Sequence, residues 1–179
     1  MIGIFLADGF EEIEALAVVD ILRRAEINVK TISIKNTKNV TGSHKITVLV
    51  DEIIDDIDLN GLDGYILPGG MPGTVNLGNC KKLCDALILA NNNKKLVSAI
   101  CAAPSVLGGL RILSGKKATC YPGYENKLIG ADATGKRVEQ DGNVITSKGA
   151  GTAHDFGFEI VKYVKGKDKA DEIRASMQY

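Results

Sequence analysis

Apolar positions in this chain fall into short runs separated by longer stretches of mixed polarity. Residues 2–7 are almost wholly apolar, as expected of a strand covered on both faces. A helix start follows at Asp8 with Glu11 three residues on, placing acids in the first turn, where the helix dipole favours them. The helix should run to about Ala25. Ile13, Ala15, Leu16, Ala17, Val18, Val19, Ile21 and Leu22 leave it few polar faces, so it should be covered by more than its own sheet: another subunit or a deep core. Glu14 lies on one stripe with Val18, Ile21 and Ala25, at spacings of four, seven and eleven. It is therefore a candidate buried carboxylate, whereas Glu11 and Glu12 read as ordinary first-turn acids.

Residues 28–35 read as a second strand, and 38–50 as a hairpin around Thr41-Gly42-Ser43. The acidic 51–60 suits a short exposed helix or loop. Residues 64–67 form a buried strand that stops at Pro68-Gly69-Gly70, where two glycines permit a sharp turn and a close backbone approach. One helical segment should span 73–93. The apolar run 96–100 then stops at Cys101, and 102–110 reads as a helix with Pro104 in its first turn. Residues 117–121 suit a strand and 124–130 a short helix or loop. Asp141-Gly142 marks a hairpin between 137–140 and 143–147, Gly149-Ala150-Gly151-Thr152 leads into a last amphipathic helix through about residue 165, and 169–177 closes the chain. This alternation predicts one domain over residues 1–179, with a mostly parallel sheet between two helical layers.

Length and charge narrow the function. A chain of 179 residues can bury a substantial core without metal or disulfides. Lysine plus arginine and aspartate plus glutamate balance at 22 each, so no footprint for nucleic acid or an anionic membrane is present. No apolar run approaches the ~18 residues needed to cross a bilayer. The first residues lack the basic flank of a signal peptide. A cytoplasmic protein with Cys80, Cys84, Cys101 and Cys120 reduced is expected. Cys80 and Cys84 sit four apart on the expected helix, but His44 and His154 are the only histidines to complete a metal site, so packing thiols are the simpler reading. Gly69-Gly70 comes without a Gly-x-Gly-x-x-Gly or a Walker lysine, which argues against a nucleotide site.

Cys101 carries the most chemistry. On a strand-to-helix corner, free helix N–H groups and the positive end of the dipole favour the thiolate; a small buried hydrophobe is the bland alternative. In an open parallel sheet the crevice forms at the carboxyl ends of the strands. Three such ends stand out here: the one leading to Glu14, Gly69-Gly70, and Cys101.

The segments Ala7-Asp8-Gly9-Phe10-Glu11-Glu12-Ile13-Glu14, Leu67-Pro68-Gly69-Gly70, Ala99-Ile100-Cys101-Ala102-Ala103-Pro104 and Thr146-Ser147-Lys148-Gly149-Ala150-Gly151-Thr152 resemble, in order, those of the ThiJ/PfpI superfamily, and within it the DJ-1-like branch. The resemblance implies a flavodoxin-like three-layer sandwich and a homodimer that needs no cofactor or metal. It implies Cys101 as the nucleophile-elbow cysteine, Glu14 as the acid touching its sulfur, and the N–H groups of Gly70 and Ala102 as oxyanion donors. Gly69, Tyr121 and His44 are implied near the pocket, His44 from the partner subunit. Relatives often carry histidine at position 121 and arginine at position 44, and some branches place histidine where Ala102 stands. Without that histidine, a peptidase or amidotransferase lacks its base. Two activities follow from the resemblance. One is a glyoxalase or deglycase acting on α-oxoaldehydes such as methylglyoxal, with a low-pKa Cys101 beside a protonated Glu14. The other is an oxidative-stress sensor or protective chaperone in which Cys101 is oxidised to sulfenate or sulfinate. His154 and the Asp20–Arg24 pair have stronger structural readings than catalytic ones.

Overall fold

The computed structural model describes all residues, Met1–Tyr179. Seven strands form the central sheet: β1 (Ile2–Leu6), β2 (Val29–Ser33), β5 (Glu52–Ile53), β6 (Gly64–Leu67), β7 (Leu96–Ile100), β10 (Val138–Asp141) and β11 (Val144–Ser147). Their order is β10-β11-β7-β6-β1-β2-β5, and only the β10–β11 pair is antiparallel. β3 (Asn39–Thr41) pairs with β4 (Thr47–Leu49) as a separate hairpin, and β8 (Lys117–Ala118) pairs with β9 (Asp132–Ala133). The helices are α1 (Glu12–Arg24), α2 (Gly73–Asn79), α3 (Lys81–Asn92), α4 (Pro104–Gly109), α5 (Ala153–Lys165) and α6 (Lys167–Ser176).

Strand alternation builds two apolar layers. Ile2, Ile4 and Leu6 face one side, where they join Val18 and Leu22 of α1, Phe156 and Ile160 of α5, and Ile173 of α6. Phe5, Tyr65 and Val97 face the other, against Leu77 of α2, Leu83 and Leu87 of α3, and Leu107 of α4. The expected flavodoxin-like sandwich, with helices on both faces of a mostly parallel sheet, is what the chain forms.

Several boundaries differ from the expectation. Glu11, not Asp8, caps α1: its Oε2 accepts from Glu14 N at 2.7 Å. Asp8 is drawn away by Lys35 Nζ at 2.6 Å and Thr41 N at 3.0 Å. The expected helix over 73–93 breaks at Cys80, whose extended backbone separates α2 from α3. The acidic 51–60 segment contributes the edge strand β5 and two short 3₁₀ turns. The strand expected over 117–121 shrinks to the two residues of β8, outside the main sheet. Asp20 and Arg24 form the expected pair, 2.6 Å apart and solvent-exposed.

Glu12 is a further correction. It is buried, and its carboxylate accepts from His44 N at 2.8 Å, His44 Nδ1 at 2.8 Å and Ser43 Oγ at 3.3 Å, tying the β3–β4 hairpin to the first turn of α1. Burial alone would raise its pKa, but the hydrogen bonds from His44 and from backbone N–H groups hold it below the usual value. The β1–α1 and β6–α2 loops also meet backbone to backbone. A side chain on Gly9 would lie 2.4 Å from Pro72 Cδ, and one on Gly73 would lie 2.7 Å from the Gly9 carbonyl carbon.

Candidate active site

Neighbouring strands β7, β6 and β1 bring the three marked ends together. Cys101 follows β7 with φ +66°, a left-handed conformation that costs a non-glycine residue of order 1–3 kcal/mol. The corner is pinned on each side: Cys101 N donates to Ser147 O at 2.9 Å, and Cys101 O accepts from Tyr121 N at 2.8 Å. That strained turn holds a half-buried thiol above the start of α4. The backbone N–H groups of Ala102 and Gly70 point at its sulfur.

Glu14 reaches the same point from α1. Although it follows β1 in sequence, one helical turn carries its carboxyl back across β6, and it is 1% exposed. Its Oε2 accepts from Gly69 N at 2.8 Å, while Oε1 has no well-formed partner. Gly69 is the hinge of the arrangement. A Cβ there would lie 2.6 Å from Cys101 Cβ, 2.7 Å from Glu14 Oε2 and 3.1 Å from Cys101 Sγ, so acid and thiol flank one bare α-carbon. Gly69→Ala is expected to push them apart and lower any Cys101-dependent turnover by about 100-fold, since displacements of about 1 Å cost that much. Circular dichroism should show the fold retained; wild-type kcat/KM in the folded variant would refute this account of the hinge.

The electrostatics correct one expectation. Burial pushes Glu14 up to about 7, against the pull of the Cys101 thiol and the N–H groups of Gly69 and Ala150. The Cys101 thiol is not lowered. Burial, then the Glu14 charge, push it up to about 12, while the Ala102 and Gly70 N–H groups pull down. The two groups therefore resist ionising together, because two adjacent buried anions repel.

The other expected residues scatter. Tyr121 is half exposed, and a side chain on Gly149 would lie 3.4 Å from its ring, which places it beside the corner. Within its own chain His44 binds Glu12, and that hydrogen bond raises its pKa. Glu11, Glu12 and His44 offer ligand atoms within 4.8 Å of one another, close enough to share a cation, but each is already engaged in capping α1 or tethering the hairpin. Cys84 is buried and donates to Gly78 O at 3.3 Å, and Cys80 caps the start of α3 four residues before it. His154 stacks on the Tyr179 ring. Sequence reasoning missed Ala150, whose N–H faces Glu14, and the anchoring role of Glu12.

A family model described as DJ-1/PfpI family matches residues 1–163. The chain belongs to the DJ-1/PfpI family. Protein DJ-1 homolog B of Arabidopsis thaliana is 39% identical over 94% of this chain and 39% of that protein. The chain thus spans about two fifths of the plant relatives' length. Protein dj-1beta of Drosophila melanogaster is 35% identical over 95% of this chain and 92% of its own. The solved structure of oxidized Toxoplasma gondii DJ-1 superposes with a TM-score of 0.95 at 31% identity, covering 99% of this chain and 97% of that one. No helix is long and apolar enough to cross a membrane.

Proposed function

We propose that the chain is a cofactor-independent glyoxalase or deglycase of α-oxoaldehydes, with Cys101 as nucleophile and Glu14 as proton carrier. The observation that carries this reading is geometric: the Cys101 thiol and the buried Glu14 carboxyl meet across Gly69, with the Gly70 and Ala102 N–H groups facing the sulfur. With the proton on Glu14, the Cys101 thiolate attacks the aldehyde carbon of methylglyoxal, forming a C–S bond. The oxyanion lies against the Gly70 and Ala102 N–H groups and takes up a proton to give the hemithioacetal. Glu14 then moves a proton from the former aldehyde carbon to its neighbour, through an enediol, leaving a thioester. Water cleaves that thioester, releasing lactate and restoring the thiol, so methylglyoxal plus water becomes lactate with no external oxidant. Position 102 offers no side-chain base, which disfavours amide hydrolysis.

A second reading has its own support. The donors that hold an oxyanion would also hold the oxygens of a Cys101 sulfinate, and the family includes oxidized Toxoplasma gondii DJ-1. The deciding experiment incubates purified protein with methylglyoxal and follows lactate, with Cys101→Ser prepared identically to exclude host glyoxalase. Catalytic lactate formation supports the enzyme. Its absence, with stoichiometric oxidation of Cys101 under mild peroxide, supports the sensor.

The working form is a homodimer, most simply in the cytoplasm. Ile13 and Leu16 project from α1, and Ile46 and Leu49 from the tethered hairpin, all exposed. Together they form an apolar surface, half on a helix and half on a hairpin, of the kind that a second copy covers. Leu16→Glu is expected to convert a dimer at micromolar concentration into a monomer by sedimentation. A wild-type monomer would overturn the assignment.

A further inference from the structure

Beside the Cys101 corner, between α2 and α4, lies a cavity of about 400 Å³ that the chemistry above leaves empty. Its near end is formed by Met71, next to Gly70, and by Ser105, whose Oγ donates to Ala102 O at 2.6 Å. It therefore reaches residues that adjoin Gly70 and hydrogen-bond Ala102, the two backbone donors that face Cys101. Met71, Val75 and Leu110 supply apolar walls, and Met71 and Val75 are left about half exposed. Lys127 closes the far end. A side chain on Gly108 would lie 2.1 Å from Lys127 O, which seats that residue on the last turn of α4. From Ser105 to Leu110 the helix axis rises about 7.5 Å, the length of about six bonded carbons.

Two polar groups in this cavity lack partners. The Lys127 ammonium lies 5.2 Å from the centre of the Tyr124 ring and forms no ion pair. Thr74 is 4% exposed, and its Oγ1 has no hydrogen bond. A buried hydroxyl left unpaired is a cost that a bound polar atom would relieve. Methylglyoxal is too small to reach Lys127. A cationic tail would meet Lys127 head-on, so the charge selects an anion.

Resting on the glyoxalase reading above, we propose that this groove holds the substrate's tail: an α-oxoaldehyde whose apolar chain ends in a carboxylate. The chain lies on Met71, Val75 and Leu110, the carboxylate pairs with Lys127, and the Thr74 hydroxyl donates to the ketone oxygen.

Steady-state kinetics with 7,8-dioxooctanoate and its neutral methyl ester test this. The wild type is expected to prefer the acid by about tenfold or more in kcat/KM, expressed in KM, because a charge-assisted contact is gained. Lys127→Glu should reverse the preference, and Thr74→Val should raise KM for acid and ester alike. Equal rates on acid and ester, or a preference untouched by Lys127→Glu, would overturn the proposal. If the wild type turns over no oxoaldehyde, the glyoxalase reading fails and the groove is tested alone. Octanoate should then protect Cys101 saturably from iodoacetamide in the wild type, but not in Lys127→Glu, and octanol should protect neither. Absence of protection by octanoate would sink the groove as an anion-tail site.

Discussion

Cys101→Ser is expected to reduce methylglyoxal turnover to background, a fall of about 1,000-fold or more, because the step that forms the C–S bond loses its atom. A serine hydroxyl at the same left-handed corner ionises far above a thiol, and no residue beside it serves as its base. The neighbour at position 102 is alanine, and the nearest acid, Glu14, even raised to about 7, is far too weak a base to ionise a serine hydroxyl. The same variant should also lose the two-oxygen mass increment that mild peroxide adds. Cys80, Cys84 and Cys120 lack the two converging N–H donors, so the increment should not move to them. Because serine is nearly isosteric, the folded state should survive, and the unfolding temperature should differ from wild type by only a few degrees. Residual turnover above about one per cent in a clean preparation would mean that another group carries the reaction.

The sequence was most legible where chemistry and periodicity coincide. The apolar run 96–100 stopping at a cysteine, followed by Pro104, marked the corner without any tertiary information. Glu14 was visible because it interrupts an apolar stripe that neighbours at four, seven and eleven residues otherwise keep intact. The alternation of strands and helices likewise indicated the layered parallel sheet. What failed to show depends on distant partners. Glu12 looks like any first-turn acid until residues 43–46, some thirty positions away, fold over it. Asp8 would cap α1 if Lys35 and Thr41 did not claim its carboxylate from β2 and the hairpin. The break at Cys80 follows from weak helix formers, Gly78 and Asn79, whose local cost only packing can confirm as a true interruption. β5 pairs with β2 through two residues, too short a run to carry a period.

The misjudged thiol has a single cause. Strand-to-helix geometry predicts stabilisation of the thiolate by dipole and N–H groups, and those groups are present. Burial and the acid outweigh them, and neither has a local signature at position 101. Reactivity at neutral pH must therefore come from where the one shared proton sits. The corner supplies donors for a negative charge at either sulfur or carboxyl: Gly70 and Ala102 for the first, Gly69 for the second.

Glu14→Leu and Glu14→Gln separate these roles. In the wild type, the iodoacetamide reaction of Cys101 is expected to rise in two steps. The first runs through about pH 7, where the pair loses one proton, and the second climbs towards 12, where it loses the other. Glu14→Leu leaves a lone thiol, so the profile should collapse to one step, with the neutral plateau gone. Glu14→Gln keeps an N–H that can donate to the thiolate but not a transferable proton. It should alkylate readily near neutrality while turning over methylglyoxal about 100- to 10,000-fold more slowly. Folding gives an independent check with a definite sign. Unfolded Glu14 ionises near 4.5 and folded Glu14 near 7, so between these values the folded state binds more protons, and stability falls as pH rises. Denaturant melts at both ends of that window should show the decline in wild type and a flatter response in Glu14→Gln. A two-step alkylation profile preserved in Glu14→Leu would break the proposed coupling, since no other carboxyl touches the sulfur.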